Sequence, residues 1–269
     1  MKFVRSHIWA ALVASLGLMV LSAPARAEGW GTLKGQVVWG GKGVPKAVPV
    51  NVDKDKEHCL SKGPLKSEEY VVNEKNKGVR WVMVWLVNAD DTNVRTPKPL
   101  PIHPSLKEPK EKQVVIDQPC CAFEPHALFM RTGQDLVVKN SAPIAHNVMT
   151  IARKNPSINV LIPAGKETVL KDMETEVFPP VQISCSIHGW MKAKLIVLPH
   201  PYFAVTDANG NFEIKNAPAG KFRLILWQEG KGWVQGGNKG IPVEIKANET
   251  TDLKKIELTP DPETAASKQ

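Results

Sequence analysis

The heptapeptide CSIHGWM sets a thiol, an imidazole and a thioether at intervals of three residues, at Cys185, His188 and Met191. A second imidazole, His146, lies upstream, directly after the turn-forming stretch NSAPIA at positions 140–145. Two imidazoles and a thiolate in one plane, with a thioether as weak axial donor, are the ligand set of a type 1 (blue) copper centre that passes single electrons. On a helix the three-residue interval would put these side chains on one face. Gly189 and the strand-like tail after Met191 argue instead for a tight loop between two strands. His146 must then come from a neighbouring strand, so the site would form only on folding. Each residue alone has a plainer role. An exported cysteine is usually half of a disulfide, a methionine usually fills core space, and a histidine opening a strand is as readily a hydrogen-bonded core residue. The combination at these offsets favours the metal.

The other cysteines follow from geometry. Cys120 and Cys121 are sequence neighbours, and a bridge between neighbours needs strained geometry, so a pair with Cys59 is expected. Cys121 is the preferred partner because it opens CAFEPH, where Phe123 would alternate with it on one strand face. That leaves Cys120 unpaired and Cys185 free to serve as a thiolate. His126 is a candidate accessory ligand, although no further donor is spaced to complete a site around it.

The elements that must position these groups are strands. Val79 to Val87 is apolar on both alternating faces, with Trp81, Met83 and Trp85 on one side and Val82, Val84 and Leu86 on the other. A strand covered on both faces is implied. From residue 113 to 198, short strands are expected at 114–116, 127–131, 135–139, 146–151, 158–162, 168–170, 181–185 and 193–198. Turns fall between them, including one at Phe178-Pro179-Pro180. Extended pieces are also expected at 32–39 and 47–52. Phe203 to Thr206, the turn DANG and Asn211 to Ile214 read as a hairpin, followed by a strand at 222–228. Pro97, Pro99, Pro101, Pro104 and Pro109 make the segment between residues 96 and 109 an extended connection.

With 22 prolines and 19 glycines among 269 residues, the chain suits short strands and turns, not long helices. Lys2 and Arg5, the apolar run from Ile8 to Leu21 and the small residues Ala25 and Ala27 form a secretory signal peptide, cleaved after Ala27. The mature chain, with no later span of membrane length, is then expected in the periplasm, secreted or at the cell surface. Cleavage removes three basic residues and no acid, lowering the formal charge from +8 to +5. A mildly basic surface favours an acidic partner. Dispersed lysines without a recognition helix or stacking aromatics exclude a nucleic-acid binder.

VKNSAPIAHNV followed by CSIHGWM resembles the cupredoxins, the short ligand loop being most similar to that of the amicyanins. The resemblance implies a Greek-key β-sandwich over residues 113–198, one type 1 copper held by His146, Cys185, His188 and Met191, and outer-sphere electron transfer to a redox partner protein. It also implies a docking patch at Pro143, Ile144, Gly189 and Trp190, where the His188 ring edge would meet solvent. FAVTDANGNFEIKNAPAGKFRLILW, within residues 199–258, resembles the carboxypeptidase regulatory-like, transthyretin-like β-sandwich, which implies a fold and no catalysis. TLKGQVVWGGKGVP looks like another piece of it, so residues 28–112 would supply the first part of a sandwich that the copper unit interrupts. Residues 259–269 are expected to form a disordered tail. The layout is similar to exported methylamine-utilisation-like proteins. An all-β, non-enzymatic electron-transfer protein is therefore expected. The competing functions are a non-redox β-sandwich module binding an envelope polymer or partner protein, and a copper carrier.

Overall fold

The computed structural model describes residues 29–260. The signal peptide and most of the expected tail lie outside the described residues. Sixteen strands are present: β1 (Trp30–Trp39), β2 (Met83–Asn88), β3 (Gln113–Ile116), β4 (Ala127–Arg131), β5 (Asp135–Lys139), β6 (His146–Ile151), β7 (Asn159–Ile162), β8 (Glu167–Leu170), β9 (Glu176–Ser184), β10 (Lys192–Leu198), β11 (Phe203–Val205), β12 (Asn211–Pro218), β13 (Gly220–Gln228), β14 (Gly232–Trp233), β15 (Ile241–Ile245) and β16 (Thr250–Leu258). One four-residue helix, α1 (Lys56–Cys59), lies among the described residues. The all-β class expected from composition and alternation is the one observed.

Among the described residues the strands form four sheets stacked around three cores. One sheet has the order β12-β1-β16, and the next runs β11-β2-β13-β14 with β15 also paired to β13. Leu33 and Val37 of β1 meet Val84 and Leu86 of β2 and Leu224 of β13 in the core between them. Thus strands before residue 89 and after residue 202 build one two-sheet unit. The middle of the chain builds the other, from β3-β5-β8 and β4-β10-β9-β6-β7. Its core holds Leu136, Val148, Ile183 and Leu195 together with Cys59, Cys121, Cys185 and Met191.

The third core joins the two units. Met83, Trp85 and Val87 of β2 face Phe129 of β4 and Ile196 and Leu198 of β10. The double-sided apolar pattern of residues 79–87 therefore serves two cores at once, as a strand covered on both faces should. Phe129 stacks on Phe203 at 4.6 Å between ring centroids.

Four local expectations are corrected. Residues 203–214 do not form a hairpin: β11 pairs with β2 and β12 with β1, so the chain turns a corner from one sheet to the other. Thr206 makes that corner, accepting from the Val82 N–H at 2.9 Å and donating to the Val79 carbonyl at 2.7 Å. The Asp207 carboxylate accepts the N–H groups of Asn209 and Asn211, and Gly210 closes the turn at φ +76°, where a Cβ would lie 2.2 Å from the Val37 carbonyl oxygen. Phe178-Pro179-Pro180 is no turn, because β9 runs through it with a cis Phe178–Pro179 bond. Residues 47–52 contribute only an isolated bridge, Pro49 to Lys66. The strand expected from Val79 starts at Met83, because Trp81 takes a left-handed conformation at φ +66°.

Candidate metal centre

β9 and β10 are antiparallel neighbours with Ser184 opposite Lys192, so residues 185–191 form the loop that joins them. The Cys185 N–H donates to the Met191 carbonyl at 3.2 Å, and the Met191 N–H donates to the His188 carbonyl at 2.9 Å. The loop is thus closed at its base by its own backbone. β6 lies on the other side of β9, with Met149 opposite Ser184, and this register carries His146, the first residue of β6, alongside the loop. Asn147 fastens the two together: its side-chain oxygen accepts the Ser186 N–H, and its amide nitrogen donates to the Asn159 side chain on β7.

The donor atoms of His146, Cys185 and His188 all lie within 4.8 Å of one another. The two Nδ1 atoms are 3.0 Å apart, and the Cys185 sulfur is 3.9 Å from the His188 Nδ1. At tetrahedral to trigonal angles, two nitrogens bound about 2.0 Å from one ion are about 3.3–3.5 Å apart, and a sulfur at about 2.3 Å lies about 3.5–3.7 Å from either, within a few tenths of an ångström of the separations here. The cluster therefore has the dimensions of a ligand set. Cys185 is 2% exposed and both histidines are fully buried. The backbone N–H groups of Asn147 and His188 point at the Cys185 sulfur, at 3.5 and 3.4 Å, and orient it as outer contacts orient a ligand. Burial, then the neighbouring His188 and His58, push the His146 pKa down to about 4, so its ring is neutral near pH 7. Its Nε2 is buried without a hydrogen-bond partner among the described residues. Met191 is 2% exposed and packs in the same core as Cys185.

One expected feature is overturned. The His188 ring edge does not reach solvent, because the Asp55 carboxylate sits 2.7 Å from its Nε2. Asp55 precedes α1, whose Cys59 N–H donates to the Asp55 carbonyl at 2.8 Å. Cys59 is bonded to Cys121 with sulfurs 2.01 Å apart, and both sulfurs lie within 4.8 Å of a His188 ring nitrogen. Trp190 packs 5.1 Å from the His188 ring and donates its indole N–H to the Cys121 carbonyl. Of the expected patch, Pro143 and Gly189 are exposed, whereas Ile144 and Trp190 are half-buried. Asp55 was not singled out from the sequence. Its one signal is its position four residues before Cys59, which any bridge to Cys121 must draw toward the site.

His126 lies outside the cluster. Its Nε2 is 2.7 Å from a Glu229 oxygen and its Nδ1 3.7 Å from Glu68. Burial opposes the Glu229 charge, but the His126 hydrogen bond and the Lys194 ammonium outweigh it and hold that carboxyl at about 2. Glu68, His126 and Glu229, with Cys121, Trp190 and Met191, line a cavity of about 390 Å3. His103 bonds Ser105, and His200 accepts the Tyr202 N–H, so neither joins a metal cluster. Cys120 is unpaired and half-buried. Among the described residues, no helix is long and apolar enough to cross a membrane.

No family model matches the chain, and no curated protein matches it. Among solved structures, an amicyanin mutant in the reduced state is 19% identical, covering 32% of this chain and 81% of its own, at a TM-score of 0.28. A purple cupredoxin from Nitrosopumilus maritimus is 20% identical over 31% of this chain and 97% of its own, at 0.27. Another reduced amicyanin mutant is 16% identical over 42% of this chain and 90% of its own, at 0.28.

Proposed function

We propose that this is an exported blue-copper protein that transfers single electrons by an outer-sphere route. His146, Cys185 and His188 would hold one copper ion, with Met191 as a weak fourth donor. The observation that carries this assignment is the meeting of two imidazole Nδ1 atoms and a thiol in a buried cluster supplied by two separate stretches of chain. Copper would supply the one-electron couple. The chain's own part is to keep that couple dry and rigid. The loop is clamped by its own backbone and by Asn147, so little need rearrange when the charge changes. His146, neutral near pH 7, keeps a lone pair available.

The Asp55 cover moves the expected contact with a redox partner away from a bare imidazole edge. Trp190, half-buried and beside His188, and the exposed Pro143 and Gly189 are the groups left for brief docking. By the same proposal, an acidic partner protein docks there, and the early and late strands form one transthyretin-like sandwich interrupted by the copper unit. The pairing of β1 with β12 and β16, and of β2 with β11 and β13, supports that division. Copper analysis with visible spectroscopy tests the assignment. One copper per chain and an intense visible band are expected, and Cys185→Ser should remove the band while far-ultraviolet circular dichroism stays unchanged. A band surviving in that variant overturns the thiolate ligation.

A further inference from the structure

The three cysteine sulfurs outside the ligand loop are not equivalent. Cys59 and Cys121 are fully buried and bonded, whereas Cys120 is half-buried, its thiol 4.0 Å from the His58 carbonyl. The bonded pair lies against His188, both sulfurs and a ring nitrogen being mutually within 4.8 Å. Such an arrangement exceeds what a structural staple requires, since a disulfide stabilises wherever it closes a long loop. Here it stands beside an imidazole that already belongs to another donor set. Although neither sulfur is exposed, Cys121, with Ala122, Phe123 and Trp190, stands at the wall of the cavity of about 390 Å3.

We propose that Cys59–Cys121 is a reducible cystine and that its two thiols, with His188, form a second metal site selective for Cu(I). This site shares His188 with the first and so rests on the copper assignment above. A dithiol reduces the cystine: the Cys59–Cys121 bond breaks, each sulfur gains a proton, and the dithiol closes to its own disulfide. Cu(I) then displaces both thiol protons and binds two thiolates and the imidazole. The chemistry favours this ion. Two adjacent buried thiolates repel, a cation between them removes the repulsion, and thiolate ligands select Cu(I) over harder ions. Both donor sets need the His188 ring, so dithiol draws copper away from the Cys185 set. Opening the bridge also frees α1, and Asp55 with it, from the covalent tie that holds them over that ring.

The test uses the full mature chain carrying Cys185→Ser, which disables the first site. Disulfide and dithiothreitol-reduced forms, freed of reductant under anaerobic conditions, are titrated with Cu(I) in competition with bicinchoninate. The reduced form should take one Cu(I) per chain and the disulfide form none. Adding Cys59→Ser and Cys121→Ser should abolish uptake, and adding Cys120→Ser should preserve it. Should the multiple variant fail to fold, alkylation of the reduced Cys185→Ser chain read by mass spectrometry decides. Cu(I) should protect Cys59 and Cys121 and leave Cys120 labelled at its original rate. Equal uptake by the two forms, or protection confined to Cys120, overturns the proposal. Failure of the first assignment is seen separately, as the absence of copper and of a visible band in the disulfide form of the unaltered chain.

Discussion

Asp55 contributes to the candidate centre through His188, holding its Nε2. Such outer contacts fix a ligand ring and its tautomer, and losing one typically costs about 10- to 100-fold in metal affinity. Asp55→Ala is therefore expected to weaken copper binding by about that factor without removing the visible band. Unchanged competition against a chelator would show that the carboxylate is only a cover. A second residue-scale consequence concerns acid. His146 and His200 are both pushed down to about 4 from 6.5, burial being the first cause in each. Their folded pKa values lie below the unfolded one. The unfolded chain therefore takes up these protons first as pH falls through 6.5, stability drops until about pH 4, and below that these two groups add no further slope. For His200, which is 1% exposed, the full effect is at most about 3–4 kcal/mol, at about 1.4 kcal/mol per pKa unit. In the metal-free protein, His200→Gln should flatten the melting-temperature profile between pH 6.5 and 4. An equally steep profile would rule out a neutral buried imidazole there.

At the scale of elements, what was legible in the chain was what local pattern dictates. Apart from β9, which begins five residues early, the strands from β3 to β10 stand close to their expected limits because alternation and turn residues mark them, and the ligand loop was marked by three donors and a glycine. What was not legible depended on distant partners. The residues of β11 and β12 carry a good hairpin signal, yet each finds a better neighbour in an early strand. Pro179 and Pro180 signal a turn, but the irregular register between β9 and β10 accommodates them within a strand. α1 has too few residues to show a period, and it is held in place by a bond between Cys59 and Cys121, 62 residues apart. The Asp55 cover arrives with it. The same long reach explains why the bare imidazole edge, a sound expectation for a loop read by itself, is absent.

At the scale of the whole molecule, the third core decides whether the two sandwiches behave as one body. Phe129 of β4, 7% exposed, stacks on Phe203 and packs edge-on to Trp85. Phe129→Ala should cost about 3–5 kcal/mol. More tellingly, it should split a single calorimetric transition into two, as the shared wall loosens. A single transition in the variant would mean that the units are coupled elsewhere.

β10 has a two-sided position with a practical outcome. Ala193, Leu195 and Val197 face the interior that contains Cys185, while Ile196 and Leu198 face the neighbouring sandwich. A fragment trimmed to residues 113–198 would thus bare the greasy flank formed by Phe129, Ile196 and Leu198, and it would lack the half-cystine that anchors the lid over His188. Such a truncated piece is expected to clump in solution, whereas the full chain keeps that flank covered by Met83, Trp85 and Val87.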